Sequence, residues 1–193
     1  MALSEETKKS LVAAVGAGAR DCAARLGKVT RKEWTVGDVA LSLDEAGPFG
    51  DLLASVANDH YGAHLTFPGG SFLVVCSGKD GYYLASAFTR GVSDRVDALH
   101  KWEAPAFGEV SSIALNPMLD RVAEAWGQDL LILSAPQAEI ASQRDHLARA
   151  LSRYRAGSPL DAAFLVKMSA PGHECLLVLF LDREFVGRIT ARG

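Results

Sequence analysis

Twice along the chain apolar residues recur at helical spacing, and each run leads into a stretch that reads as strand. The first run sets Leu11, Val12, Val15, Cys22 and Leu26 on one face with alanines between them, the pattern of an amphipathic helix. Ser4 stands before it as an N-cap, Glu5 and Glu6 suit the positive end of the helix dipole, and Gly27 closes it. The spacing therefore predicts a helix over Ser4–Leu26. Gly16 and Gly18 would each weaken it in isolation by roughly 1 kcal/mol relative to alanine. In a packed protein they let a second helix come close.

After this helix, Lys28 to Leu43 reads as one or two strands, Ala46 to Gly50 as a turn, and Asp51 to His60 as a short helix. Strands are expected at His64–Phe67 and Ser71–Ser77 about the Pro68-Gly69-Gly70 turn. Lys79-Asp80-Gly81 reads as a turn into a further strand, Tyr82–Thr89, and Ser93–Trp102 has helix spacing. The second long run lies within Pro105–Pro136, with a helix over roughly Ala106–Trp126, a stop at Gly127 and the apolar run Leu130 to Leu133 as a strand. Ala138–Arg155 reads as a helix ended by Gly157, Ser158 and Pro159. Ala162–Ser169 and Cys175–Leu181 read as a hairpin.

An echo at an offset of 100 residues matches Gly27 with Gly127, Ala23 with Ala123 and Ala14 with Ala114. Both copies are long helix, glycine stop and strand, which suggests a duplicated unit with pseudo-two-fold symmetry. The fold expected is α/β: one domain over residues 1–193, with halves of roughly 1–100 and 101–193. It would be an antiparallel sheet of about six strands, packed on one side by two long antiparallel helices.

Composition narrows the chemistry. A net charge of −3 with no basic stripe gives no reason to expect nucleic acid. No apolar run approaches the roughly 18 residues of a membrane span. The acidic start, MALSEETKKS, is unlike a secretory signal, so the expectation is a cytoplasmic protein. Cys22, Cys76 and Cys175 lie far apart without CxxC spacing and read as reduced thiols in the core. Val15–Asp21, VGAGARD, follows a helical pattern and lacks the third glycine of a dinucleotide fingerprint. His60 and His64 have the spacing of a helical metal pair beside Asp59, but Gly62 interrupts them and no third ligand is evident. No metal or cofactor of its own is expected.

The candidate chemistry sits on the second long helix. Glu109 and Ser112 are three residues apart, which puts both side chains on one side of a helix. Asn116 follows four residues on. Each also has a plainer reading. Glu109 near a helix start compensates the dipole, and Asn116-Pro117 is a good N-cap and first-turn pair. If a new helix began at Asn116, the shared face would be lost.

The segment Glu109–Gly127, EVSSIALNPMLDRVAEAWG, resembles the signature helix of the CheC/CheX/FliY family of chemotaxis phosphatases. That family typically shows Glu-x-x-Asn here, often continued as Ile-x-Leu-Asn. Glu109, Ile113, Leu115 and Asn116 fit the pattern, Pro136 falls close to a family proline, and the closing hairpin and total length agree. The resemblance implies a protein acting on the aspartyl phosphate of a CheY-like response regulator, with Mg²⁺ on the regulator, or one binding a CheD-like deamidase. It makes Glu109, Ser112 and Asn116 the candidate catalytic residues. In the family the asparagine places the attacking water and the glutamate meets a lysine of the regulator. Here Ser112 stands where the family has asparagine. A hydroxyl on a short stem replaces a planar amide, and losing such a positioned group typically costs about 10² to 10³ in rate. The implied activity is weak or lost, which keeps open the alternative of a non-catalytic adaptor. In the first half, Lys9 and Val12 occupy the equivalent positions, and neither can do this chemistry.

Overall fold

Ser4 opens the first helix, α1 (Glu5–Thr30), its hydroxyl accepting from the Thr7 N–H at 3.1 Å. The helix runs one turn past the stop expected at Gly27. Thr30 is buried there; its hydroxyl donates to the Leu26 carbonyl at 2.7 Å and accepts from the Trp34 indole at 2.8 Å. Arg31 then takes the left-handed conformation, φ 57°, and its N–H reaches the Gly27 carbonyl at 2.8 Å. Termination comes from the residue after Thr30, so Gly27 stays helical.

The computed structural model describes residues 4–42, 60–89, 96–126, 137–141 and 160–190. The turn expected over 46–50, the stop at 127, the strand over 130–133 and all of the helix expected over 51–60 except His60, which is strand, lie outside them. So does the helix expected beyond residue 141, with its 157–159 stop.

After α1 come β1 (Thr35–Ser42), β2 (His60–Phe67), β3 (Gly70–Ser77) and α2 (Gly78–Thr89). The long helix α3 (Val96–Trp126) follows, then β4 (Gln137–Ala141), β5 (Leu160–Ala170), β6 (His173–Asp182) and α4 (Arg183–Thr190). Among the described residues the strands form one sheet in the order β1-β5-β6-β3-β2-β4, every pairing antiparallel. The hairpins β2–β3 and β5–β6 turn on Pro68-Gly69 and Pro171-Gly172, whose glycines have φ of 96° and 78°. Proline followed by a positive-φ glycine is the type II arrangement.

Three expectations are corrected. Tyr82–Thr89 is helix, because Ser77 supplies a cap: its hydroxyl accepts from the Asp80 N–H at 3.2 Å and donates to the Asp80 carboxylate at 2.7 Å. Ala138–Ala141 belongs to strand β4 and pairs with β2 from Ala138↔Ala63 to Ala141↔His60. The helices expected at Ser93–Trp102 and Ala106–Trp126 are one, since α3 runs from Val96 through both Pro105 and Pro117.

One face of the sheet carries Phe72, Val74, Cys76, Phe164, Val166, Met168, Leu177 and Leu179. These pack with Leu11 and Val15 of α1 and Phe107 and Leu115 of α3 in a single core cluster. Both helices therefore lie on that face. A Cβ added to Gly18 would fall 2.6 Å from the Met118 Cα, and the Cys22 thiol donates to the Ala114 carbonyl. As numbering rises along α1 it falls along α3, so the helices are antiparallel. Gly16 takes no part in this contact; it faces Val39 and Arg20. On the other face of the sheet Leu73, Val75, Ala163, Val178 and Phe180 are buried too.

Candidate functional site

Burial along α3 separates an inner from an outer side. Phe107, Val110, Ser111, Ala114, Leu115 and Met118 are buried, and the Ser111 hydroxyl donates to the Phe107 carbonyl at 2.7 Å. The remaining positions recur at steps of three and four: Glu109 is exposed, and Ser112 and Asn116 are half-buried. On an α-helix the steps from Glu109 to Ser112 and on to Asn116 rise by about 4.5 and 6 Å. The three candidate residues thus share one stripe about two turns long. No new helix begins at Asn116, because α3 is continuous across Pro117. Among the described residues none of these three side chains has a hydrogen-bond or ion-pair partner.

Chemically the stripe offers a carboxylate, a hydroxyl and an amide, and among the described residues nothing pairs with the exposed Glu109. Ser112 has one rotatable hydroxyl in partial shelter. On α1 the equivalent positions hold an exposed Lys9 and a half-buried Val12, an aliphatic group where a polar one is needed.

The structure assembles a polar cluster that sequence spacing did not reveal, because its members are 93 residues apart. His173 Nδ1 lies 2.9 Å from Asp80, whose other oxygen accepts from Ser77. The His173 ring stacks on Tyr83 at 3.7 Å between centroids. Tyr83 donates to the Thr30 carbonyl at 3.1 Å, and Lys32 lies over its ring while donating to the Pro171 carbonyl at 2.9 Å. Serine, aspartate and histidine occur together here, but the aspartate is central. The histidine therefore cannot take the serine proton, as nucleophile activation demands. The cluster ties the β5–β6 turn to the start of α2 and the end of α1.

His60 and His64 lie on β2, where positions i and i+4 are about 13 Å apart, so the helical ligand pair does not exist. Among the described residues no group of three or more potential ligands is placed to hold a metal. The three cysteines are buried and form no disulfide with one another. Burial pushes the Cys22 thiol up to about 12. Tyr61 is also raised, first by burial and then by its hydrogen bond, 2.8 Å, to the buried carboxylate of Glu103. Among the described residues no helix is long and apolar enough to cross a membrane.

Solved structures identify the architecture. FliY from Thermotoga maritima superposes with a TM-score of 0.65 at 15% identity, over 98% of this chain and 96% of that one. The fold is that of the CheC/CheX/FliY proteins. CheX from Desulfovibrio desulfuricans gives a TM-score of 0.56 at 11% identity, covering 92% of this chain and 99% of the other. FliM, in the FliG–FliM complex from H. pylori, gives 0.54 at 10% identity, covering 98% and 100%. No protein-family model matches the chain, and no curated protein matches it.

Proposed function

We propose that this chain is a cytoplasmic chemotaxis or two-component signalling protein that docks on a response regulator through the outer stripe of α3. In this reading Glu109 meets a lysine of a CheY-like receiver domain, and Ser112 occupies the place of the residue that positions water. Asn116 extends the same stripe. The observation that carries the reading is the exposure of Glu109, without a partner among the described residues, beside Ser112 on one uninterrupted helix. Phosphoryl transfer from an aspartyl phosphate asks mainly for positioning and charge stabilisation. The Mg²⁺ would sit on the regulator, and this chain would contribute only direction to the water. Ser112 does that poorly, so phosphatase activity is weak or lost.

The reading also treats residues 1–193 as one domain duplicated from an α–β–β–β–α unit. Its support is the strand order: exchanging β1 with β4, β2 with β5 and β3 with β6 reverses β1-β5-β6-β3-β2-β4 onto itself. Short helices α2 and α4 directly follow β3 and β6. A two-fold axis would run between β3 and β6 and past Gly18 and Met118, which touch at the offset of 100. Only the second half then carries a usable site.

A second reading, a non-catalytic adaptor binding a response regulator or a CheD-like deamidase, is favoured by the likeness to FliM, which is held in complex with FliG. One assay separates the two. A phosphorylated receiver domain is followed with and without the protein, and binding is measured in parallel. Faster decay supports the phosphatase, binding without faster decay supports the adaptor, and neither overturns both.

A further inference from the structure

The central pairing of the sheet sets two thiols face to face. β3 and β6 run in register from Gly70↔Leu181 to Val75↔Leu176, and the next step along places Cys76 opposite Cys175. One step before Gly70, the Asp182 N–H donates to the Gly69 carbonyl at 3.0 Å, so Gly69 and Asp182 are a hydrogen-bonded pair. Bonded and non-bonded pairs alternate along an antiparallel ladder, and Cys76 is an odd number of steps from Gly69. Cys76 and Cys175 therefore form a non-hydrogen-bonded pair, the kind whose side chains approach more closely. Such pairs hold their Cα atoms about 4.5 Å apart, within the roughly 4.4–6.8 Å that a disulfide spans. Both thiols belong to the core face, each residue 3% exposed, and they hydrogen-bond each other. Cys22 of α1 is close enough to Cys175 to feel its charge, but its own thiol is committed to the Ala114 carbonyl of α3.

We infer that Cys76 and Cys175 are a redox pair, oxidised by a hydroperoxide to a disulfide that staples β3 to β6 without disturbing the fold. One sulfur attacks the peroxide: the O–O bond breaks, that cysteine becomes a sulfenic acid, and the rest of the peroxide leaves as an alcohol, or as water where the oxidant is hydrogen peroxide. The second sulfur then displaces the sulfenic oxygen, which leaves as water with the remaining thiol proton. Two electrons pass from the sulfurs to the peroxide. Burial, then the hydrogen bond to Cys175 and its nearness, hold the Cys76 thiol well above its ordinary range, and the Asp80 carboxylate acts in the same direction. Protonated thiols are poor nucleophiles, so the pair reacts slowly and stays reduced until oxidant is sustained. The way in is the strand end, where ladders open first: Cys76 is the last but one residue of β3 and Cys175 the third of β6. The inference goes beyond the receiver-docking reading and depends on none of its residues.

The test exposes the reduced full chain to excess hydrogen peroxide, blocks the remaining thiols with N-ethylmaleimide in denaturant, and maps the peptides by mass spectrometry. The expected product has Cys76 joined to Cys175 within one chain and only Cys22 alkylated, so the free thiols fall from three to one. Its circular dichroism should match that of the reduced protein. Its urea midpoint should rise, and return on adding dithiothreitol, because a cross-link constrains the unfolded chain. Cys22→Ala should leave the link in place and Cys175→Ser should remove it; the peptide map of the parent protein decides the matter alone if Cys175→Ser fails to fold. The proposal is overturned by three alkylated cysteines after prolonged oxidation, by a link that involves Cys22, by sulfinic or sulfonic acid in place of the link, or by a link that arises only in urea-unfolded protein. A midpoint that fails to rise also overturns it, because the staple would then strain the sheet it joins.

Discussion

Gly18 of α1 meets the backbone of α3 at Met118: a Cβ on Gly18 would sit 2.6 Å from the Met118 Cα and 3.1 Å from its Cβ. No side-chain rotation relieves a clash with backbone, so the two helices must separate. Gly18→Ala should therefore destabilise the protein by about 2 kcal/mol, overpacking outweighing the gain in helix propensity of roughly 1 kcal/mol. Gly16→Ala is the control, since its nearest neighbour is the Val39 methyl at 3.4 Å. It should stabilise by about 0.5–1 kcal/mol. Urea unfolding of the two variants checks both signs, and equal effects would refute the contact.

Arg31 holds a left-handed conformation at the end of α1, a position where glycine avoids the Cβ penalty. Arg31→Gly should raise stability by about 1 kcal/mol. Thermal unfolding measures it; a lower melting temperature would mean that the Arg31 side chain holds more than the backbone costs.

The helix contact at Gly18 and the end of α1 at Arg31 show what can be read from sequence. The long amphipathic runs and the Pro-Gly hairpins were legible because their signals are local: periodicity, caps and turn residues. Arg31 was not, because the extra turn depends on Trp34 reaching back to Thr30. Tyr82–Thr89 reads as a strand on its aromatics and the Lys79-Asp80-Gly81 turn signal, yet is helix. The serine three residues before Asp80 was the overlooked sign of a helix start. Ala138–Ala141 carries a helical pattern in sequence, while its strand identity comes from pairing with β2, a tertiary fact. The shared side of Glu109 and Ser112 follows from their spacing, but only the continuity of α3 across Pro117 adds Asn116 to the same stripe. The Asp80–His173 contact joins segments 93 residues apart and leaves no local trace.

Cys22 makes stability sensitive to alkali. Its pKa is raised from 9.0 to about 12, chiefly by burial, so the unfolded thiol ionises first. The native state then holds more protons than the unfolded state, and stability falls as pH rises. The contribution is intact below about pH 9 and is lost progressively from there toward 12, with a slope approaching 1.4 kcal/mol per pH unit. Burial raises Cys76 and Tyr61 in the same direction, so the steepness is shared. Urea midpoints at pH 8 and pH 10.5 should differ by less in Cys22→Ala than in the parent protein. An unchanged pH dependence would show that Cys22 is not a source of it.

Ser112 is the residue on which the receiver-docking proposal can be turned from loss into gain. It is half-buried on the outer side of α3, one turn from an exposed Glu109, so a longer side chain has an outward path. Ser112→Asn supplies the planar amide that can accept from a water and fix its direction. If the stripe docks on a phosphorylated receiver, the variant should accelerate its dephosphorylation by at least about tenfold, some 1.4 kcal/mol of barrier. Glu109→Ala should weaken binding in the same assay, and since Glu109 is exposed the fold should be unaffected. A rise with Ser112→Asn that Glu109→Ala cancels would assign both residues to one site. No rise, with binding still dependent on Glu109, would leave an adaptor that docks but does not hydrolyse. No effect of either substitution would make α3 a scaffold and remove the receiver from this face.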